Sequence, residues 1–273
     1  MCECAPPRSQ RQGCRLRNLR RRCFSGGGQL AIDYCNEKSA IVKRLSLFSG
    51  ISLADCATIT SSARERDFSR KQIVFAEGDP IRQTVLLLSG CAKITQFGED
   101  GSEVILRLAG PGEILGALGA SADVGHCSTA QIMGPSSVLT WSKANFESLL
   151  ERFPLLQRNV IRALEMRLRD MDQRFREVST QKVALRLSSQ LIRLLNQIGK
   201  QSNGHVEISL SRAELAQLTG TTLFTVSRLL SQWDGLGIVE ARRESVMVMD
   251  LPALVELSQG EPELISLRTR STA

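Results

Sequence analysis

The residues best suited to chemistry in this 273-residue chain lie toward its C-terminal end. In Ser211-Arg212-Ala213-Glu214 a hydroxyl and a carboxylate three positions apart can satisfy each other's backbone donors, which is how many helices begin. A helix is expected from there through Leu215 and Leu218 to Thr219-Gly220, where glycine accepts the left-handed backbone of a sharp turn. Thr221 and Thr222 then cap a second helix, Leu223 to Trp233, and two short helices joined by such a turn make a helix-turn-helix. The second helix turns Val226, Leu229 and Leu230 inward and Thr222, Thr225, Ser227 and Arg228 outward, a face suited to the major groove of double-stranded DNA. The fork of Arg228 matches guanine O6 and N7. After Gly235-Leu236-Gly237, two β-type runs, IVEA and SVMVM, flank Arg242-Arg243-Glu244, a hairpin wing whose arginines suit phosphates. Alone, Arg228 would read as a solvated helix charge; the start signal, glycine turn and wing together make it a base reader.

The other reactive side chains point away from catalysis. Eight cysteines, at 2, 4, 14, 23, 35, 56, 91 and 127, show neither the regular framework of a small secreted domain nor the close pairs of a zinc site. Reduced thiols are expected, and no metal site is assigned. A metal-dependent oxygenase on a β barrel needs several histidines on neighbouring strands, but the chain has only His126 and His205. No catalytic residue emerges, and the chain is read as a non-enzyme. His126 and Cys127 read most simply as a loop histidine beside a buried cysteine acting as a small hydrophobe.

These groups must be held by a larger frame. With 42% hydrophobic residues the chain can build one large core or two. Its net charge of +7 is concentrated: residues 1–30 hold seven arginines against Glu3, leaving +1 for the remainder. Residues 1–30 show no hydrophobic period and are expected to form a disordered basic tail. Short helical spacings run from Ser39 to about Arg66. From Lys71 to Ser142 β-type runs (IVFAE, TVLLLS, CAKITQF, EVILRLA, TAQIM, SSVLTWS) alternate with turn clusters, which predicts a jelly roll over 39–152. A long helix, 153–178, follows. In it Ile161, Leu164, Leu168, Met171, Phe175 and Val178 recur at spacings of three and four, the seam of a two-helix coil and hence of a homodimer. Another apolar helix, Val183 to Ile198, opens a C-terminal DNA-binding domain over 179–255, with a tail at 256–273. No run of 18 apolar residues occurs and the basic start lacks the apolar core of a secretory signal, so neither a membrane span nor export is expected and the cytoplasm is the assigned location.

With both halves in view, residues 41–250 resemble the Crp/Fnr family of bacterial transcription regulators. The resemblance rests on the turn Gly112-Glu113-Ile114-Leu115-Gly116, the strand Ser128-Thr129-Ala130-Gln131, and SRAELAQLTGTTLFTVSRLL from Ser211 to Leu230. It implies an α+β chain with an N-terminal jelly roll (a double-stranded β-helix) as effector domain, a long dimerisation helix and a C-terminal winged helix-turn-helix. It further implies a homodimer on a palindromic DNA operator, contact with RNA polymerase, and an effector pocket around Gly116, Ala117, Cys127, Ser128, Thr129, Met171 and Asp172.

Departures from the family pattern narrow the effector. Nucleotide-binding members place a glutamate after the glycine that matches Gly116, where this chain has Ala117. They place an arginine before the small hydroxyl residue, where this chain has Cys127 before Ser128. Their adenine-reading hydroxyl pair falls near Met171 and Asp172, with no Ser or Thr. A buried phosphate without a cation partner is costly, so cyclic AMP is not the expected effector; if it bound, Arg107 would be the alternative cation. The strand GHCSTAQ is similar to the oxygen-sensing branch, whose cysteine cluster holds iron and sulfur, but Cys2, Cys4, Cys14, Cys23 and Cys35 lack that branch's spacing. A haem or iron-sulfur sensor, or a regulator without effector, stand as alternatives, and no cofactor is assigned. Many members also place an acid in the reading helix where this chain has Phe224, which can meet a thymine methyl but accepts no hydrogen bond.

Overall fold

The computed structural model describes residues 39–116, 125–202 and 204–260. They divide between two compact units, one holding the described residues up to Phe97 with Leu106–Leu168, the other Gly98–Ile105 with those from Arg169 on. The basic segment 1–30 with Cys2, Cys4, Cys14 and Cys23, together with Cys35 and Ala117, lies outside the described residues.

In the first unit, helix α1 (Leu53–Ser61) starts at Ser52, whose hydroxyl accepts from the Asp55 amide. Eight strands follow: β1 (Arg64–Phe68), β2 (Ile73–Phe75), β3 (Gln83–Ser89), β4 (Ala92–Phe97), β5 (Glu103–Ala109), β6 (Ile114–Leu115), β7 (Thr129–Ile132) and β8 (Ser136–Ser142). They form two four-stranded sheets, ordered β1-β8-β3-β6 and β2-β7-β4-β5, a β sandwich. The continuous apolar run of β3 follows from its position. Val85 and Leu87 enter the core between the sheets with Phe68, Phe75, Ile94, Leu115 and Ile132. Leu86 and Leu88 enter a second core against α1, Phe48, Trp141 and the helices that follow. A strand covered on both faces has no solvent side on which to place polar residues. Trp141, fully buried on β8, donates its indole N–H to the Ile59 carbonyl at 3.0 Å, so the largest core side chain leaves no donor unsatisfied.

Strand β1 departs from the sequence reading, which extends helix to Arg66. Arg-Glu-Arg-Asp-Phe carries no alternating apolar signal because β1 is an edge strand, pairing only with β8 and burying only Phe68. Helix α2 (Lys143–Arg152) precedes the long helix α3 (Pro154–Thr180), whose first half lays Leu156 and Val160 on the second core.

The second unit continues α3 into α4 (Val183–Ile198), a hairpin β9 (Lys200–Ser202) and β10 (His205–Ile208), then α5 (Arg212–Thr219), α6 (Leu223–Gly235), β11 (Val239–Ala241), β12 (Val246–Val248) and α7 (Leu251–Gln259). The wing is larger than its two-run signature: β11 and β12 extend through β10 to β9 as one four-stranded sheet. Residues 256–259, assigned by sequence to a tail, are the last turn of α7, which starts on the Asp250 cap and packs on α4. Leu187, Leu191, Leu215, Val226, Leu230 and Trp233 are buried beneath. No described helix is long and apolar enough to cross a membrane.

Candidate nucleic-acid interface and effector pocket

The turn between α5 and α6 is built from local chemistry. The Ser211 hydroxyl accepts from the Glu214 amide at 3.3 Å while the Glu214 carboxylate accepts from the Ser211 amide at 2.8 Å. Gly220 ends α5 at φ 60°, ψ 50°, the left-handed conformation that costs other residues about 1–2 kcal/mol. Thr222 alone caps α6, accepting from the Thr225 amide, and the two threonine hydroxyls bond each other at 2.9 Å. Thr221, half-buried, belongs to the turn and donates its amide to the Ala216 carbonyl.

This register turns Val226, Leu229, Leu230 and Trp233 into the core and leaves Phe224 and Arg228 exposed, one helical turn apart; Thr225 and Ser227 are half-buried at the edge of that face. Phe224 is 77% exposed, a large cost for an aromatic ring that none of the described residues covers. Among the described residues Arg228 makes no hydrogen bond or ion pair.

The two wing arginines, equivalent by sequence, differ in the fold. Arg242 donates through Nε to Glu240 at 2.9 Å and lies 4.0 Å from the Glu207 carboxylate, and the Glu240 bond holds its guanidinium above the ordinary range. Arg243 is exposed with no partner among the described residues. The sequence reading did not find Arg186 on α4. Its guanidinium donates to the carbonyls of Val178, in the last turn of α3, and Gln181, just past its end, and to those of Thr219 and Gly220 at the helix-turn-helix turn. It satisfies carbonyls at the negative ends of two helices at once. Nearby, the carboxylate of buried Glu177 takes both arms of Arg193 at 2.8 Å. Burial would raise the Glu177 pKa, but the Arg193 and Gln173 hydrogen bonds outweigh it and hold the carboxyl below its usual value.

Along α3 the six seam residues Ile161, Leu164, Leu168, Met171, Phe175 and Val178 are all exposed in the single chain. Met166, off the seam, is exposed as well. Arg167 is the one half-buried residue between 161 and 170.

In the first unit Gly116, at φ 79°, packs against Phe75 and His126. A Cβ there would lie 2.8 Å from Phe75 Cζ and 2.9 Å from His126 Nδ1, so only glycine fits. The expected roles of His126 and Cys127 are reversed. The His126 ring is buried, stacked on Phe75 with centroids 3.7 Å apart, and its Nδ1 has no hydrogen-bond partner. Cys127 is exposed, and its carbonyl accepts from the Gln96 side chain. Burial pushes His126 below its ordinary pKa, with Asp79 opposing. Thr129 is committed to the scaffold, its hydroxyl accepting from the Glu77 amide at 3.0 Å; Ser128 is buried. Met171 and Asp172 are exposed on α3.

The premise that this region lacks cations needs correction. Cys127 supplies none, but Arg167 donates to the carbonyls of Gly116 at 3.1 Å and Ile114 at 2.8 Å, and Arg107 reaches the Ile114 carbonyl at 3.5 Å while pairing with Glu113. Among the described residues no three His, Cys, Asp or Glu side chains come together to hold a metal ion.

A β sandwich followed by a long helix and a winged helix-turn-helix defines the two-domain DNA-binding regulators that carry a sensor module. The cyclic nucleotide-binding domain family matches residues 65–153, and the Crp-like helix-turn-helix domain family matches residues 185–257. The chain belongs to the Crp/Fnr family and is a transcriptional regulator of that type. It is 27% identical over 212 residues to the CRP-like cAMP-activated global transcriptional regulator of Mycobacterium tuberculosis, covering 77% of this chain and 95% of that one. It is 26% identical to the cyclic AMP receptor protein of Thermus thermophilus, over 80% of this chain and 99% of that one. Among solved structures the c-di-GMP-responsive regulator CLP of Xanthomonas campestris shares the fold with a TM-score of 0.65 at 20% identity, covering 72% of this chain and 99% of that one.

Proposed function

We propose that the chain acts as a homodimer, joined through the α3 seam, that reads a two-fold symmetric DNA site with α6. It works in the cytoplasm by binding rather than by catalysis. RNA polymerase is its further partner, as the family implies. The observation that carries this reading is the α6 face. Among the described residues Arg228 stands exposed and unpaired one turn beyond an uncovered Phe224, an arrangement that suits a base-pair edge beside a thymine methyl. Thr222, Thr225 and Ser227 line the same face, and Thr221 stands at its start. Arg243 meets phosphate, with Arg242 secondary. Two-fold symmetry places the two reading helices one DNA turn apart, about 34 Å, which favours a palindrome.

The sensor domain answers to an effector other than cyclic AMP. The two relatives described above carry cyclic AMP in their names. This chain has Ala117 where nucleotide-binding members carry the ribose-holding glutamate, and Met171 and Asp172 where they carry hydroxyls. Selection of bound duplexes from a random pool tests the first part: a palindromic motif is expected, and binding without sequence preference would overturn it. Calorimetry with cyclic AMP tests the second, and tight binding there would overturn the pocket assignment.

A further inference from the structure

The first turn of the reading helix is apolar on its outer side. Leu223 and Phe224, the first two residues of α6, are 53% and 77% exposed. The core beneath does not require them, being filled from this helix by Val226, Leu229, Leu230 and Trp233. The hydroxyls of the same turn serve the helix start: that of Thr222 accepts from the Thr225 amide at 3.2 Å and shares a 2.9 Å hydrogen bond with that of Thr225. What this turn presents outward is therefore chiefly hydrocarbon.

Helical spacing sorts the side chains of this face into two columns, Leu223 with Ser227 and Phe224 with Arg228, the members of each four residues apart. In both columns an apolar group precedes a hydrogen-bonding one by a turn. In the major groove the complement of an apolar side chain is the 5-methyl group of a pyrimidine, the hydrocarbon group that a base pair offers there. A role in forming the helix accounts for leucine at an exposed position. It does not account for an exposed phenylalanine beside it, since aromatic residues are weaker helix formers.

We propose that Leu223 and Phe224 form a methyl-reading pair, which selects 5-methylpyrimidines in neighbouring base pairs beside the base that Arg228 bonds. This deepens the reading of α6 as the DNA-reading helix and rests on it. Neither side chain can donate or accept a hydrogen bond, so neither separates the O4 acceptor of thymine from the N4 donor of 5-methylcytosine. The pair therefore takes either base and discriminates against uracil and cytosine, which lack the methyl group. Recognition at these positions then responds to cytosine methylation: a methylated cytosine stands in for a thymine, and its unmethylated form does not. Burying one methyl group is worth about fourfold in affinity, and burying two about fifteenfold.

The test uses the full chain and the duplex that it selects from a random pool. Deoxyuridine replaces each thymine of that duplex in turn, which removes the methyl group and keeps the base pair. At the thymines that meet Leu223 and Phe224 affinity should fall about fourfold each, and at other thymines it should hold. In a second series those base pairs become cytosine-guanine with and without the 5-methyl group, and the methylated form should bind about fourfold more tightly. Leu223→Ala and Phe224→Ala should each weaken binding to the thymine duplex and abolish the uracil penalty at one position, whereas Arg228→Ala should keep both penalties. That coupling separates contact with the methyl group from its effect on DNA shape, which would persist in the variants. Phe224→Leu, which keeps an apolar group, should keep part of the discrimination. A selected half-site without neighbouring thymines, uracil bound as tightly as thymine at every position, 5-methylcytosine bound no better than cytosine, or penalties unchanged in both alanine variants would overturn the proposal. If the parent selects a site but shows no methyl dependence, only the methyl-reading pair falls; if it selects no site, the reading of α6 falls with it.

Discussion

The reading helix and the sensor pocket are built by opposite means. The capping and turn bonds around α6 span three to five residues, Ser211 with Glu214, Thr222 with Thr225 and Thr221 with Ala216, and Arg186 adds a longer tie to the turn carbonyls. The pocket is tied together across long stretches of chain, with Arg167 bonding carbonyls 51 and 53 residues away and the Glu77 amide reaching Thr129 across 52. In the first region functional side chains stand free on a finished scaffold. In the second, most of the polar atoms near Gly116 already serve the scaffold, so that a ligand there has to engage groups that hold the fold. Substitutions on α6 should therefore alter recognition and leave stability intact, whereas those around the pocket should move both.

The largest expected effect falls on the helix that spans both regions. Replacing Leu168 and Phe175 with Glu puts two charges into the seam, at about 3 kcal/mol or more each if the seam is buried in a dimer. Sedimentation should then report monomers, with the operator affinity lost and the fold kept. An unchanged dimer would show that these residues face solvent in the assembly too. Next in size, Arg228→Ala should cost about 1–3 kcal/mol on the preferred duplex alone, with an unchanged melting temperature. An equal loss on random duplex would make Arg228 a phosphate contact and erase the contrast drawn for α6.

Arg186→Ala probes the seam between those behaviours, because one guanidinium holds both the end of α3 and the turn that presents α6. Loss of its four carbonyl bonds should reduce stability by about 1–2 kcal/mol and weaken all DNA binding alike. Denaturant unfolding together with binding to specific and random duplexes checks this; unchanged stability would mean that water replaces the guanidinium without cost.

The same contrast governs what the sequence made legible. The helix-turn-helix was readable residue by residue because a capping hydroxyl, a left-handed glycine and a 3.6-residue period are local signals. The sandwich was readable as strands and turns, but β1 was not, since an edge strand that buries only Phe68 has no alternation to detect. The hairpin β9–β10 was missed for a similar reason, its residues being polar or half-buried except Ile208. Around Gly116 the sequence singled out Arg107 as a reserve cation and Cys127 as a missing one, and passed over Arg167. A signal for Arg167 did exist. Leu156, Val160 and Arg167 lie four and seven residues apart, so the arginine continues the helix face that packs on the core, opposite in purpose to the seam beside it.

The pocket also predicts a pH response that α6 should lack. His126 is held below its ordinary pKa near 6.5, so the unfolded chain takes up the proton first as pH falls. Its contribution is complete above that value and is lost as pH drops toward the lower folded-state pKa. Thermal unfolding should show the first unit softening over this window. His126→Phe, which keeps the stack on Phe75 and removes the titration, should flatten that dependence; an unaltered slope would assign it to other groups.

The smallest expected effect separates two adjacent arginines. Each phosphate contact formed releases a counterion and steepens the fall of log affinity with log salt by about one unit, provided that the cation is free to neutralise the phosphate. Arg243 meets that condition and Arg242 does not, because Glu240 and Glu207 already share its charge. Arg243→Ala should therefore lower the slope by about one unit on specific and random duplexes alike, and Arg242→Ala by clearly less. Glu240→Gln should act in the opposite direction, releasing Arg242 and steepening the slope. Fluorescence anisotropy across a salt series resolves all three. Equal losses for the two arginines would mean that DNA strips Arg242 from Glu240 on binding, and the wing would then count as a surface that is finished only in the complex.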